Sequence, residues 1–87
     1  MNEQFDFLWN TIRERAKTLV NPISYSTFIE NLIPVDVVNK KIVLQAESEL
    51  AALTITKNHM EKLREAVATA DVGLNGVIIV VEGSEEF

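Results

Sequence analysis

Residues 33–45 read Ile-Pro-Val-Asp-Val-Val-Asn-Lys-Lys-Ile-Val-Leu-Gln, and this stretch decides the fold. On both sides of Asn39-Lys40, apolar side chains recur at every second position. This two-residue repeat is the period of a β-strand. Two β-branched runs around this turn predict a β-hairpin, and Asn39 suits a turn position that needs a positive φ.

Two helices are predicted before the hairpin. The first covers residues 3–20, where apolar side chains recur at helical spacing, and Asn21-Pro22 ends it. Asn21 then caps the second helix, with Pro22 as its first residue, and Pro34 stops that helix. The apolar positions are Leu8, Ile12, Ala16 and Leu19 in the first helix, and Tyr25, Phe28, Ile29 and Leu32 in the second.

One helix and one strand are predicted after the hairpin. Ser48 is placed to cap a third helix over residues 48–69, in which residues 54–56 are a weak stretch. A turn cluster follows at residues 71–76. Residues 77–81 are β-branched throughout, which predicts a strand that is central in its sheet or covered on both faces.

The element order is therefore α-α-β-β-α-β, which predicts a two-layer α+β domain with helices packed on one face of a three-stranded sheet. No linker, repeat or low-complexity tract interrupts the chain, so residues 1–87 are expected to form a single domain. Residues 82–87 are expected to fray.

Composition and charge limit the possible functions. The chain has 47% apolar residues, no cysteine and one histidine, which excludes disulfides and thiolate chemistry and makes a histidine-rich metal site impossible. A net charge of −5 argues against strong binding to nucleic acid. The longest apolar run, residues 77–81, is too short to span a bilayer, and residues 1–6 lack the basic start and apolar core that are typical of a secretion signal. We therefore expect a soluble, cytoplasmic protein with no membrane contact.

The candidates for catalysis are few. Glu47 with Glu49, and Glu61 with Glu65, lie at positions expected to face water, whereas acid–base catalysis needs buried carboxyl groups with separated pKa values. His59 has no second histidine or cysteine to complete a metal site. The glycines match no phosphate-binding fingerprint. We expect no enzyme activity, no catalytic residue, no bound metal and no cofactor.

Trp9 has two interpretations. If Leu8 and Ile12 point inward, Trp9 is rotated by about 100° from Leu8 and lies at the edge of the apolar stripe, where a partly exposed indole would suit an interface. The alternative is that Trp9 completes a small core.

A set of apolar positions resembles the N-terminal domain of the bacterial replication initiator DnaA over nearly the whole chain. That family has a Leu-Trp pair on its first helix, an aromatic residue and then Trp-Ile on its second, and a strand that ends in Ala-Pro-Asn-Glu-Phe-Ala. The matching positions here are Leu8-Trp9, Tyr25, Phe28-Ile29, Leu32 and residues 46–51.

The resemblance implies a K-homology-like fold and a non-catalytic module for protein–protein contacts. In the family this domain self-associates weakly, recruits the replicative helicase at the origin and binds regulators of initiation. The implied self-association residues are Leu8 and Trp9. The implied partner-binding residues are Ser24, Tyr25, Ser48, Leu50 and Ala51.

Departures from the family pattern indicate a divergent member. Leu50 replaces an aromatic residue, Leu53-Thr54 replace Asp-Trp, and His59 replaces a tyrosine. Glu30-Asn31 stand where the family often has Arg-Pro. The contacts that depend on those side chains are therefore expected to be weakened or directed to another partner.

A competing hypothesis is a small domain that binds single-stranded nucleic acid, since K-homology folds often do so through a Gly-x-x-Gly loop. The only match is residues 73–76, which has no lysine or arginine beside it in the sequence. At most a weak contact with single-stranded DNA is expected.

Overall fold

The computed structural model describes residues 3–81, so the tail expected to fray at residues 82–87 lies outside the described residues. Its four helices and three strands confirm the predicted two-layer α+β class. The second helix, α2, starts as one α-helical turn and continues as a π-helical segment. The elements are α1 (Glu3–Ala16), α2 (Pro22–Ser24 and Tyr25–Ile29), β1 (Ile33–Val38), β2 (Lys41–Ala46), α3 (Glu49–Asn58), α4 (Met60–Ala70) and β3 (Gly76–Val81).

The hairpin between β1 and β2 is confirmed. Asn39 and Lys40 have φ values of 52° and 65°, the pair of positive angles that lets a two-residue turn follow the twist of its strands. A bulge between Pro34 and Asp36 interrupts β1. Because of that extra residue, Ile33 and Val37 face opposite sides of the sheet, and only Val37 packs against the core.

The sheet has the order β1-β2-β3, with β1 antiparallel and β3 parallel to β2. The prediction that residues 77–81 are central or covered on both faces is therefore wrong. β2 is central, whereas β3 lies at the edge of the described sheet and its last four residues are half-buried. A β-branched run marks a strand, but it carries no information on which strands flank it.

The predicted third helix is two helices. His59 leaves helical geometry (φ −126°, ψ 0°) and separates α3 from α4. Its ring lies against Phe28 of α2, with the ring centroids 5.7 Å apart. The β-branched residues 54–56 lower helix propensity just before this break. The first helix also ends early, at Ala16, and residues 17–20 continue as hydrogen-bonded turns.

The core lies between the helices and one face of the sheet. Alternate residues of β2 face it, namely Ile42, Leu44 and Ala46, and all three are buried. Within residues 3–81, the β2 residues that face the other way, Val43 and Gln45, do not belong to this core cluster. From the helices, the buried contributors are Trp9, Ile12, Ala16, Tyr25, Ile29, Ile55, Leu63, Ala66 and Val67.

Trp9 is 2% exposed, so the interpretation that it completes the core is confirmed and the partly exposed position is wrong. At 100° per residue Trp9 lies about 20° from Ala16 and about 60° from Ile12, both fully buried. The apolar stripe of α1 is thus centred on Trp9 and Ala16, and Leu8 lies half-buried at its flank. Among the described residues the indole Nε1 has no hydrogen-bond acceptor.

We predict that Trp9→Ala destabilises the domain. Truncating a buried aromatic side chain costs about 3–5 kcal/mol, a large part of the stability of a small domain. Trp9→Phe should cost less, because it keeps an aromatic ring in the core and removes an unpaired N–H donor. Urea denaturation of the three proteins checks this, and equal midpoints for Trp9→Ala and the original chain would contradict the burial of Trp9.

Candidate interaction surfaces

The start of α3 exposes an apolar side chain on a helical turn that is capped by a hydrogen bond. Ser48 caps the helix, because its hydroxyl oxygen accepts a hydrogen bond from the Ala51 N–H at 3.1 Å. Ala51 and Ile55 face inward, whereas Leu50 is 72% exposed. At this exposure the Leu50 side chain adds little to the core and lies at the surface of the domain.

The start of α2 is capped in the same way. The Asn21 side-chain oxygen accepts a hydrogen bond from the Ser24 N–H at 2.9 Å, as predicted. Ser24 is half-buried and Tyr25 is buried, so neither presents a large surface. The apolar side chain that α2 does expose is Ile23, at 78%.

Sequence reasoning missed Ile23 and also Phe7, which is 67% exposed on α1. Phe7 lies on the side of α1 away from the stripe of Trp9 and Ala16, so helical phase alone identifies it once that stripe is centred correctly. Ile23 follows Pro22 in the first turn of α2, outside the apolar face that runs from Tyr25 to Leu32. Both are large apolar side chains at positions of a predicted helix that face away from its apolar stripe. That pattern in the sequence could have identified them as exposed.

The two predicted partner-binding segments lie on neighbouring elements. The π-helical part of α2 packs against α3, and the ring contact of Phe28 with His59 joins them further along. α2 exposes one large apolar side chain, Ile23, and α3 exposes two, Leu50 and Leu53. α2 and α3 are therefore in contact through the π-helical part of α2, and Ile23, Leu50 and Leu53 are the large apolar side chains that the two elements expose.

Tyr25 lies in an open depression of about 390 Å³ on the outer side of α2. The ammonium group of Lys17 stands 5.8 Å from the centre of its ring. Burial raises the pKa of the Tyr25 hydroxyl above 10.0; nearby Arg13 acts in the opposite direction, and Glu30 and Glu14 raise the pKa further. The residues around this depression are Lys17, Pro22, Tyr25, Ser26 and Glu30.

The Gly-x-x-Gly segment joins α4 to β3. Two lysines that are distant in sequence lie beside it: the Lys40 carbonyl accepts a hydrogen bond from the Asn75 N–H at 2.7 Å, and the Lys41 side chain lies over Gly76. A Cβ atom at residue 76 would stand 2.9 Å from Cγ of Lys41, so this glycine makes room for the lysine. The segment thus has basic neighbours that its own sequence does not show.

The side chains considered for chemistry are not assembled into a site. Glu47, Glu49, Glu61 and Glu65 are all exposed, as predicted, and His59 packs against Phe28. Within residues 3–81 there is no group of three or more metal-binding side chains. Nor do the described helices include one that is long and apolar enough to cross a membrane.

Comparison with known protein families gives a match over most of the chain. The family model of the DnaA N-terminal domain matches residues 6–69, from α1 to the last turn of α4. The chain belongs to the DnaA N-terminal domain family. A search of curated proteins finds no significant match.

The DnaA N-terminal domain is a non-catalytic protein-interaction module of the replication initiator, so the context of this chain is the initiation of DNA replication. The matched region contains α2, α3 and α1 from residue 6 onward, and these helices carry the exposed side chains Phe7, Ile23 and Leu50. Strand β3 lies after the matched region.

We predict that stability falls as the pH rises above 10. The raised pKa of Tyr25 means that folding favours the neutral phenol. Its contribution is fully present below the unfolded pKa and is lost as the pH passes the folded one. Tyr25 is the only tyrosine, so absorbance at 295 nm follows its ionisation alone, and urea midpoints between pH 8 and 11 follow stability.

Tyr25→Phe is the matched variant, because it keeps the ring and cannot ionise. Its urea midpoint should decline less than that of the original chain above pH 10. If the tyrosine absorbance of the folded protein titrates as in the urea-unfolded protein, burial does not control this group.

Proposed function

We propose that this chain is an interaction module of a replication initiator in the cytoplasm, which self-associates weakly and recruits the replicative helicase and regulators of initiation. The observation that supports this proposal most is the exposure of Leu50 at 72% on the capped first turn of α3. Membership of the DnaA N-terminal domain family indicates that the partners to expect are proteins of replication initiation.

The geometry of α3 makes Leu50 a preorganised contact. The Ser48 cap fixes the first turn, and Ala51 and Ile55 hold the helix on the core. A partner that covers Leu50 therefore does not have to order a loop, which lowers the entropic cost of binding. Leucine fills a smaller pocket than an aromatic side chain, so a weak contact or a different partner pocket is expected.

Weak contacts suffice for such a module when it is tethered. A small apolar patch gives low affinity on its own, but several copies joined to one assembly at the origin raise the effective concentration of each contact. Catalysis and sequence-specific reading of DNA then belong to other parts of the assembly.

For self-association the predicted residues remain Leu8 and Trp9. Trp9 is buried and Leu8 is half-buried, so the surface that α1 offers consists mainly of Phe7 with the exposed flank of Leu8. In this arrangement Trp9 acts by holding α1 in place rather than by touching a second copy.

We predict that Leu50→Glu weakens binding to the replicative helicase or to an initiator regulator at least tenfold. The reason is that a charged group replaces the exposed apolar contact, which corresponds to about 1.4 kcal/mol or more. Titration of the labelled domain with purified helicase measures the affinity.

Val38→Glu is the matched control, since Val38 is 43% exposed on β1, away from α3. Both variants should keep the circular-dichroism spectrum of the original chain. Equal affinities for Leu50→Glu and Val38→Glu would remove Leu50 from the docking surface.

A second candidate function, weak contact with single-stranded DNA, is favoured by the two lysines beside residues 73–76. Lysines near a glycine-containing segment can contact phosphates while the backbone approaches closely. The net charge of −5 opposes this contact, so we expect it to be weak and sensitive to salt.

We predict that Lys40→Glu weakens binding of a single-stranded oligonucleotide at low salt. The slope of log affinity against log salt concentration should become shallower by the amount that corresponds to about one phosphate contact. Lys62→Glu makes the same charge change on the exposed side of α4 and should leave more of the binding intact. Fluorescence anisotropy at several salt concentrations measures both. An equal loss in the two variants would show that only overall charge matters.

A further inference from the structure

Strand β3 has an open edge. It pairs with β2 on one side only, and among residues 3–81 no backbone hydrogen bond joins its other side to any element. A row of free N–H and C=O groups on an edge strand is a template for another extended backbone. The chemistry of this edge therefore calls for a β-strand as its occupant.

The two edges of the sheet differ in their protection. β1 carries Pro34, Asp36 and a bulge, three features that hinder pairing with another strand. β3 consists of one glycine and five uncharged β-branched residues, with none of those features. Protection of one edge and not the other singles out β3 as the edge able to pair.

A groove lies at the Val81 end of β3. A groove of about 380 Å³ lies between α3 and the end of β3, lined by Ala52, Leu53 and Val81 among others, with Glu49 at its rim. Val81 is half-buried, so α3 leaves part of the strand end exposed in this groove. An added strand would extend the sheet and bury part of Val81 and Leu53.

The charges at the two ends of β3 identify the occupant. Lys40 and Lys41 lie at the Gly76 end, against the single carboxylate of Asp71 nearby in the sequence. At the Val81 end, Ala46 pairs with Val81, and the exposed Glu47 and Glu49 follow directly in the chain. An antiparallel second copy places the basic end of one strand against the acidic end of the other, whereas a parallel copy places like charges together.

We propose that two copies of this chain associate through antiparallel pairing of their β3 strands, which joins the two sheets into one of six strands. Side chains directly opposite in an antiparallel pair lie on the same face of the sheet, whereas neighbours along one strand lie on opposite faces. Two residues that pair across the twofold axis must therefore be an even number of positions apart in the sequence, which requires the axis to pass through a residue and not between two residues. An axis at Ile79 pairs Ile79 with Ile79 of the second copy, Val77 with Val81 and Ile78 with Val80. All five β-branched residues then pair with one another.

This surface deepens the self-association within the proposed function, and it is separate from the surface of α1. β3 lies outside the region that matches the family model, so the proposal rests on the sheet itself. A contact between two five-residue strands is small, which fits association that is weak for the isolated chain.

The test compares two lysine variants on the open face of the sheet. Val80→Lys places a charge on the free edge, next to half-buried Gln45, and Val38→Lys places the same charge on the protected edge. In sedimentation equilibrium at rising concentration, the original chain and Val38→Lys should move from the 9.8 kDa monomer towards twice that mass. Val80→Lys should stay a monomer while it keeps the folded circular-dichroism spectrum.

Hydrogen exchange of the original chain at low and high concentration gives a second readout that needs no variant. Amide protection in residues 77–81 should rise with concentration if β3 pairs. A dimer without that rise, or a chain that stays monomeric throughout, would overturn the proposal; the second result would leave the edge to a strand from another protein.

Phe7→Lys separates this inference from self-association through α1. If Phe7→Lys abolishes the dimer and Val80→Lys does not, pairing of β3 is overturned and the proposed function stands. If only Val80→Lys abolishes it, β3 is the interface.

Discussion

The parallel pairing of β3 with β2 is the constraint on which the rest of the structure depends. Two parallel neighbouring strands cannot be joined by a tight turn, so the chain has to cross back over one face of the sheet between Ala46 and Gly76. Helices α3 and α4 make that crossing and cover the face that carries Ile42 and Leu44. The same crossing places the start of α3, with Leu50, at the end of the sheet where β2 finishes.

Covering one face with helices determines where the charged and apolar surfaces lie. The helices that cross the sheet bury Ile55, Leu63 and Val67, and their outer sides face water. The opposite face of the sheet keeps apolar side chains at its surface, such as Ile33 and Val38.

Local signals in the sequence predicted the local structure well. The caps by Asn21 and Ser48 and the turn at Asn39 follow from the hydrogen-bonding capacity and backbone freedom of those residues, and all three are confirmed. The exposure of the four carboxylates follows from polarity and helical phase in the same way. Such features depend on residues within one turn of each other, which a sequence displays directly.

The features that sequence reasoning missed depend on contacts between distant residues. The predicted stripe of α1 included Leu8 and left Trp9 at its edge, whereas Trp9 is buried and Leu8 is half-buried. Every candidate residue is apolar, so only packing against α4 and β1 selects the buried set. The break at His59 accompanies a ring contact with Phe28, thirty-one positions earlier. The edge position of β3 depends on the order of strands, and the lysines beside residues 73–76 depend on the turn between β1 and β2.

Strand β3 combines two roles that are difficult to separate. Val77 and Ile79 complete the core under α4, while the other edge of the same backbone pairs with no element among residues 3–81. Deleting the strand would expose the core and unfold the domain, so loss of association in a truncated chain would say nothing about the edge. Residues on the open face of β3 contact water rather than the core, and a charge placed there changes the edge without removing core contacts. A functional role of the edge can therefore be tested only by substitutions of the β3 residues on that face.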